Sequence, residues 1–311
     1  MTDSTAVTRR RKAGGPDGVV LLDKPVGLSS NVALQKVRRL FGSPKAGHTG
    51  SLDPLASGLL PICLGQATRF SGYLLDASKS YRVTGRLGAR TATGDAEGEV
   101  VETCAWEHLD ADAFAAVLGD FRGQIMQVPP MYSALKQGGE RLYRKARRGE
   151  TVERESREIE VYRLELEVWD PPSFVLDVAC SKGTYVRTLV EDTARAAGSC
   201  AHVAALRRYA AGPYAAGDMH TLEALEALAA QGPDRLGEAV LPADSALQAL
   251  PLVTLGAEDG LRLAQGQVVD LPTGGDAGLI RVYGADGFIG VGERSAEGRL
   301  RAKRLLGTAD A

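Results

Sequence analysis

The stretch AGHTGSLDPLASGLLPICLG, residues 46–65, carries one carboxylate, Asp53, and one histidine, His48, in a frame that is largely apolar. A lone acid in a stiff frame suits a carboxylate nucleophile or general base. The residue before a proline is driven out of helical geometry, so Asp53, preceding Pro54, belongs to a loop and not to a helix face. Gly47, Gly50 and Gly58 let the backbone turn sharply or let a bulky ligand come close. A plainer reading has Asp53 capping its own turn by bonding its own backbone. Residue types alone leave both readings open.

The flanking segments must position this loop. GVVLLDKPVG reads as a buried strand, Val19 to Leu22, ended by a turn at Asp23-Lys24-Pro25. SSNVALQKVRRLFG reads as a helix capped by Ser29, Ser30 or Asn31, with Val32, Leu34, Val37, Leu40 and Phe41 on its apolar side. After the loop, LLPICLG is a buried strand, QATRFSGYLLDAS a helix and SYRVTGRLG a strand. TATGDAEGEVVE has hairpin punctuation. DADAFAAVLGDFRG is an amphipathic helix starting at Asp110 or Asp112. REIEVYRLELEVW alternates as a strand with one slip in phase, which a bulge explains. SFVLDVACS is another strand, and GTYVRTLVEDTARAAG a helix stopped by Gly198. Helices and strands mix without a strict β-α-β rhythm, so the fold class is α+β, a mixed or antiparallel sheet flanked by helices. Residues 215–247 turn acidic and helical. Past Leu250 the chain becomes short strands and Gly-rich turns, a small β module.

The 311 residues contain no apolar run long enough for a spanning helix, and the basic N-terminal segment has no apolar stretch behind it, so no membrane segment or secretory signal is expected. The four cysteines, Cys63, Cys104, Cys180 and Cys200, lie far apart without a Cys-x-x-Cys pair; reduced thiols in a cytoplasmic protein are expected, not a disulfide framework. Cys200 and His202 lack two further ligands nearby, so no metal site is expected. The net charge of −2 does not advertise nucleic-acid binding. Its distribution says more: residues 215–260 hold eight acids and one base, residues 135–157 eight bases and four acids, and residues 281–304 six bases and three acids. Local positive patches govern phosphate contact more than the total does.

Five segments, in order, resemble the TruB family of tRNA pseudouridine synthases: GVVLLDKPVGLSSN, GHTGSLDPLASGLLPICLGQATRF, KSYRVTGRLGARTATGDAEG, CSKGTYVRTLVEDTA and HVAALRRYAAGPY. They span most of residues 18–214. LRLAQGQVV and GFIGVGE resemble, less sharply, a PUA RNA-binding module. The N-terminal residues read as a disordered tail over 1–17; the resemblance implies a pseudouridine synthase domain over 18–247 with a basic RNA-clamp insertion at about 124–157, and a PUA-like domain over 248–308. It implies that Asp53 is the nucleophile, that Tyr81 lies against the target base, and that Arg187 pairs with the catalytic carboxylate. Tyr185 and Leu206 would line the base pocket, His48 would meet the RNA where the flipped base has left, and Lys24 would lie close by. The plainer reading of Arg187 is a helix-surface residue bonded to Glu191.

The implied reaction isomerises the T-loop uridine at position 55 of tRNA to pseudouridine. It has no redox or phosphoryl-transfer step, so no cofactor and no metal is expected. Arg141, Arg144, Lys145 and Arg148 would grip the RNA backbone of the T-arm. A monomer with no obligatory protein partner is expected. Three other readings compete: an RNA chaperone that folds tRNA, with modification secondary; a guide-RNA-dependent relative; and a glycosidase using Asp53 with Glu191 or Asp192. The last would want two carboxylates facing across a sugar bond, whereas the resemblance offers Asp53 a cation.

Overall fold

The structure, a computed structural model, describes residues 15–272 and 274–307. The tail expected over 1–17 falls outside the described residues up to residue 14. Asp17 Oδ1 accepts a hydrogen bond from Gln66 N at 2.6 Å.

In chain order the first elements are β1 (Gly18–Lys24), α1 (Ser30–Leu40), β2 (Ala46–His48), β3 (Ala56–Leu64), α2 (Ser71–Leu75) and β4 (Lys79–Leu87). There follow β5 (Ala89–Thr91), β6 (Val100–Thr103), α3 (Ala111–Val117), β7 (Gly123–Gln127), β8 (Lys136–Gln137), β9 (Glu140–Arg141), α4 (Leu142–Arg147), β10 (Arg157–Asp170) and β11 (Ser173–Cys180). Next come α5 (Val186–Ala196), β12 (Ala201–Ala211), β13 (Tyr214–Ala215), α6 (Leu222–Ala230) and α7 (Pro233–Gly237). The chain closes with β14 (Leu252–Thr254), α8 (Ala257–Ala264), β15 (Val269–Asp270), β16 (Gly278–Gly284), β17 (Gly287–Arg294) and β18 (Arg299–Leu305).

The main sheet runs β1-β3-β12-β4-β11-β10-β7, with β2 beside β3 and β13 beside β12. Every pairing is antiparallel except β12 with β3. The fold is therefore α+β with a mixed sheet. Its buried face carries Tyr81 and Val83 of β4, Leu176 and Val178 of β11, and Val203 and Leu206 of β12. Ala33, Leu34 and Val37 of α1 and Leu189 and Val190 of α5 close over it. The helix α1 starts one residue after its cap, Ser29, whose hydroxyl accepts from Val32 N. Val32 itself is exposed, and Ser30 and Ala33 face inward in its place. The segment 65–75 is a 3-10 turn followed by one short helix, not one helix. The strand β10 carries two register shifts, between Val161 and Arg163 and between Leu166 and Val168, where its alternation suggested one.

A second sheet, β14-β16-β17-β18-β15, forms the C-terminal β-rich domain. It is docked, not tethered. Phe288 packs tilted against Phe70, ring centroids 5.4 Å apart, and Val291 shares a core with Leu21, Leu59 and Phe70. Arg304 donates to Arg69 O, and Arg69 donates back to Leu305 O.

One expectation is overturned. Cys104 and Cys200 form a disulfide, with Cα atoms 5.7 Å apart. Their 96-residue separation hid the contact, which arises because both flank Gly88: Cys104 N donates to Gly88 O and Gly88 N to Cys200 O. Cys63 and Cys180 are free and buried.

Candidate active site

The backbone on either side of Asp53 is fixed before its side chain is considered. The buried Ser30 hydroxyl accepts from Leu52 N at 2.7 Å and donates to Leu52 O at 2.9 Å. Gly27 N donates to Pro54 O, and Ala56 N to Asp53 O. Lys24, fully buried, points its Nζ at Leu28 O (2.6 Å), Pro25 O (2.8 Å) and Pro54 O (3.5 Å). Two chain segments more than 20 residues apart are thus pinned around one carboxylate. Burial lowers the Lys24 ammonium to about 8, against the pull of Asp53 and Glu97.

The carboxylate meets one cation directly. Arg187 Nε lies 2.9 Å from Asp53 Oδ2; the arginine side chain is 7% exposed and the carboxylate 43%. The same guanidinium donates through Nη1 to Thr93 O and through Nη2 to Tyr132 O at 2.8 Å. Its Nη1 also lies 3.8 Å from Asp95 Oδ2. A planar guanidinium with five donors suits such a hub, since it fixes direction as well as charge. The i+4 pairing with Glu191 is not what forms. Burial pushes Asp53 above the usual carboxylate range, while Arg187 and, more weakly, Lys24 pull it down and Asp95 pushes it up. Such a carboxylate is aimed and poised to attack an electrophilic carbon or to take a proton.

Around it, Tyr81 lies on β4, 8% exposed, opposite Val178 of β11 and Arg208 of β12. Leu206, also 8% exposed, pairs with Val83 and with Ala56, three residues beyond Asp53. Tyr185 caps the start of α5, its backbone held at both ends by the Gln127 side-chain amide: Tyr185 N donates to Oε1 and Nε2 donates to Tyr185 O. His48 ends β2, and its buried Nδ1 has no hydrogen-bond partner among the described residues. Burial and then Arg208 keep the imidazole below its usual pKa, so it is neutral at pH 7.

The basic cluster resolves less simply. A hairpin, β8 and β9, turns at Gly138-Gly139 and leads into α4. Arg148 is held bidentately by Glu140 and again by Glu150, so its charge is largely matched. Arg141, Arg144 and Lys145 have no ion pair among the described residues. Tyr143 N bonds to Ser133 O, next to the Tyr132 carbonyl on Arg187, so a short path of backbone joins this insertion to the site. Lys136, Arg154 and Arg157 line a cleft of about 500 Å³ at its root. In 281–304, Arg281, Arg294 and Arg304 spend N–H groups on carbonyls, and Lys303 pairs with Glu293. His202 donates through Nδ1 to Ala89 O, and Cys200 is taken by its disulfide.

Four residues of this arrangement escape a reading of motifs: Asp95, Ser30, Gln127 and Arg208. Asp95 does not stand out as Asp53 does, because it shares its small-residue turn with Glu97 and Glu99 and no proline follows it. The other three act on backbone atoms distant in sequence, and nothing local announces them.

The described fold matches a solved H/ACA ribonucleoprotein bound to a substrate RNA containing 2′-deoxyuridine, with TM-score 0.73 over 99% of this chain and 94% of that one, at 22% identity. The chain belongs to the TruB family. The pattern for the TruB family pseudouridylate synthase N-terminal domain matches residues 38–186, that for the tRNA pseudouridylate synthase B C-terminal domain 187–248, and that for the pseudouridine synthase II TruB C-terminal segment 251–306. The tRNA pseudouridine synthase B of Sodalis glossinidius is 51% identical over 95% of this chain and 97% of its own length. That of Nitrosococcus oceani is 49% identical over 96% and 98%.

Proposed function

We propose that this chain converts the T-loop uridine at position 55 of tRNA to pseudouridine, with Asp53 as the nucleophile acting on a flipped-out nucleotide. The observation that carries the reading is the Arg187–Asp53 contact at 2.9 Å inside a loop pinned by Ser30 and Lys24. The relatives named for tRNA pseudouridine synthesis, nearly full length at half identity, support tRNA as the substrate.

The reaction is an isomerisation. The C1′–N1 bond breaks, a C1′–C5 bond forms and one proton passes from C5 to N1, so no atom is gained or lost. The detached base must be kept, which calls for a tight, dry pocket; Tyr81, Tyr185 and Leu206 supply aromatic and aliphatic walls, and Arg187 keeps the carboxylate ionised and aimed. Extracting a stacked uridine costs a few kcal/mol. His48, neutral and held on β2, is suited to fill the gap. The rest of the RNA is read by loop shape and phosphate contacts. The basic insertion and the compact C-terminal module favour a stand-alone enzyme over a guide-RNA-dependent one.

The pocket assignment is tested at Tyr81. Tyr81→Phe keeps the ring against the base and should bind RNA normally; if the hydroxyl takes part in proton transfer, it loses turnover. Tyr81→Leu should lose both turnover and pocket fit. Wild-type single-turnover rates in both variants would reduce Tyr81 to a packing residue.

The insertion is tested by salt. Each cation that neutralises a phosphate releases counterions, so log affinity should fall linearly with log salt. Replacing Arg141, Arg144 and Lys145 together by alanine should weaken tRNA binding and flatten that slope by up to about one unit per lost contact. Arg148→Ala should change it less, because Glu140 and Glu150 already match its charge. A triple variant with unchanged affinity and slope would make the cluster a solvated face.

A further inference from the structure

Arg208 is the largest fully buried side chain among the described residues, 1% exposed. Its guanidinium donates to Leu59 O at 2.7 Å through Nε and to Gly50 O at 3.0 Å through Nη2. No carboxylate pairs with it among the described residues. Burying a guanidinium that only carbonyls answer is costly. The surroundings are costly too. Gly58, at φ +100°, lets β3 pass so close that a Cβ there would lie 2.1 Å from Arg208 O. The ionisable groups that feel its charge are His48 of β2, Tyr81 and Lys79 of β4, Cys180 of β11 and Lys24 of β1. Lys79 is itself buried and occupied by Leu75 O and Ala77 O. Arg208 stands directly across the β4–β12 register from Tyr81. It also holds the carbonyl of Gly50, which closes the turn carrying His48.

We propose that Arg208 is a positioning residue of the reaction: it fixes Tyr81 and the Gly47–Gly50 turn, and its unmatched positive charge lies behind the base pocket. Breaking C1′–N1 leaves its electron pair on the base; joining C1′ to C5 uses that pair, and the C5 proton ends on N1. Between those events the detached uracil is an anion, and a fixed buried cation favours it without reorganising at the moment of reaction. Burial drives the Tyr81 hydroxyl pKa up, and the positive charge of Arg208 opposes this, which makes the phenol the better donor toward that anion. The inference rests on the reading of Tyr81 as the residue lying on the base.

Two substitutions separate charge from shape. Arg208→Gln keeps hydrogen-bond donors and loses the charge; Arg208→Lys keeps the charge and loses the fork. Both are compared with Tyr81→Leu in single-turnover pseudouridine formation on a T-loop RNA stem at saturating RNA, with the His48 imidazole titrated by NMR. Arg208→Gln should slow the reaction about 100-fold, the scale of losing one preorganised donor to developing negative charge. RNA affinity should stay within about threefold, under 1 kcal/mol. Arg208→Lys should recover about tenfold of that loss. The His48 pKa should rise in Arg208→Gln, because a neighbouring cation has gone, and should stay low in Arg208→Lys. Equal rates in the two variants with His48 unmoved would overturn the inference, leaving Arg208 a backbone pin. If Arg208→Gln does not fold, Arg208→Lys still decides: a folded lysine variant as slow as Tyr81→Leu overturns the inference, and one within about tenfold of wild type supports it. A wild-type rate in Tyr81→Leu would instead sink the reading of Tyr81, whatever Arg208 does.

Discussion

Asp53→Asn should abolish pseudouridine formation while leaving tRNA affinity within about tenfold, roughly 1.4 kcal/mol. The amide is nearly isosteric with the carboxylate, and the loop around it needs nothing from the side chain. Ser30, Gly27 and Lys24 hold the neighbouring backbone atoms, and the Asp53 carbonyl accepts from Ala56 N in either case. The variant should therefore fold and bind. What it loses is the negative charge and the nucleophilic oxygen opposite Arg187. The same variant separates enzyme from chaperone: a protein whose work is folding tRNA would keep that activity with asparagine here. Turnover well above contaminating enzyme would refute the nucleophile assignment.

Arg187→Met should be nearly as damaging, by a different route. The guanidinium answers Asp53, Asp95 and the carbonyls of Thr93 and Tyr132 at once. Removing one partner of a buried pair costs about 3–5 kcal/mol, and the lower end applies because Asp53 is partly exposed. The pH dependence carries the sharper test. Burial already holds Asp53 above the usual carboxylate pKa, and Arg187 is the main influence pulling it down. Without the cation the value climbs further. Since the ionised form does the chemistry, the acid limb of residual single-turnover activity should move to higher pH. Stability should respond in the opposite sense. A carboxyl whose pKa is higher folded than unfolded keeps its proton longer in the folded state, so the variant's unfolding free energy should rise as pH is lowered through that window. An unmoved acid limb would show that Arg187 positions the loop without acting on the charge of Asp53.

How far the site could be read from residues depends on where each partner lies. Asp53 was legible because Pro54 and three glycines make its loop unlike a surface loop. Arg187 was not legible from local spacing, which offers Glu191 one turn along the helix; its true partners lie 134 and 92 positions back along the chain. Asp95 was hidden among Glu97 and Glu99 in a turn that read as hairpin punctuation, which it also is. Ser30 and Gln127 were invisible because each replaces a strand partner with a side chain, bonding the N–H and carbonyl of one distant residue. The strand β12, at the centre of the sheet, gave no strand signal: its alanines and Arg207-Arg208 break the usual β-branched pattern. The sheet buries Arg208 all the same, because Leu59 O and Gly50 O receive it. The Cys104–Cys200 pair shows the same limit, since only the folded Gly88 segment brings the two thiols together.

The most direct measurement is a map of pseudouridine in unmodified tRNA incubated with the purified wild-type protein and with Asp53→Asn. Pseudouridine at the T-loop uridine with the wild-type protein, and none there with the variant, is the predicted result. No pseudouridine, pseudouridine only outside the T-loop, or equal formation by the asparagine variant would contradict it.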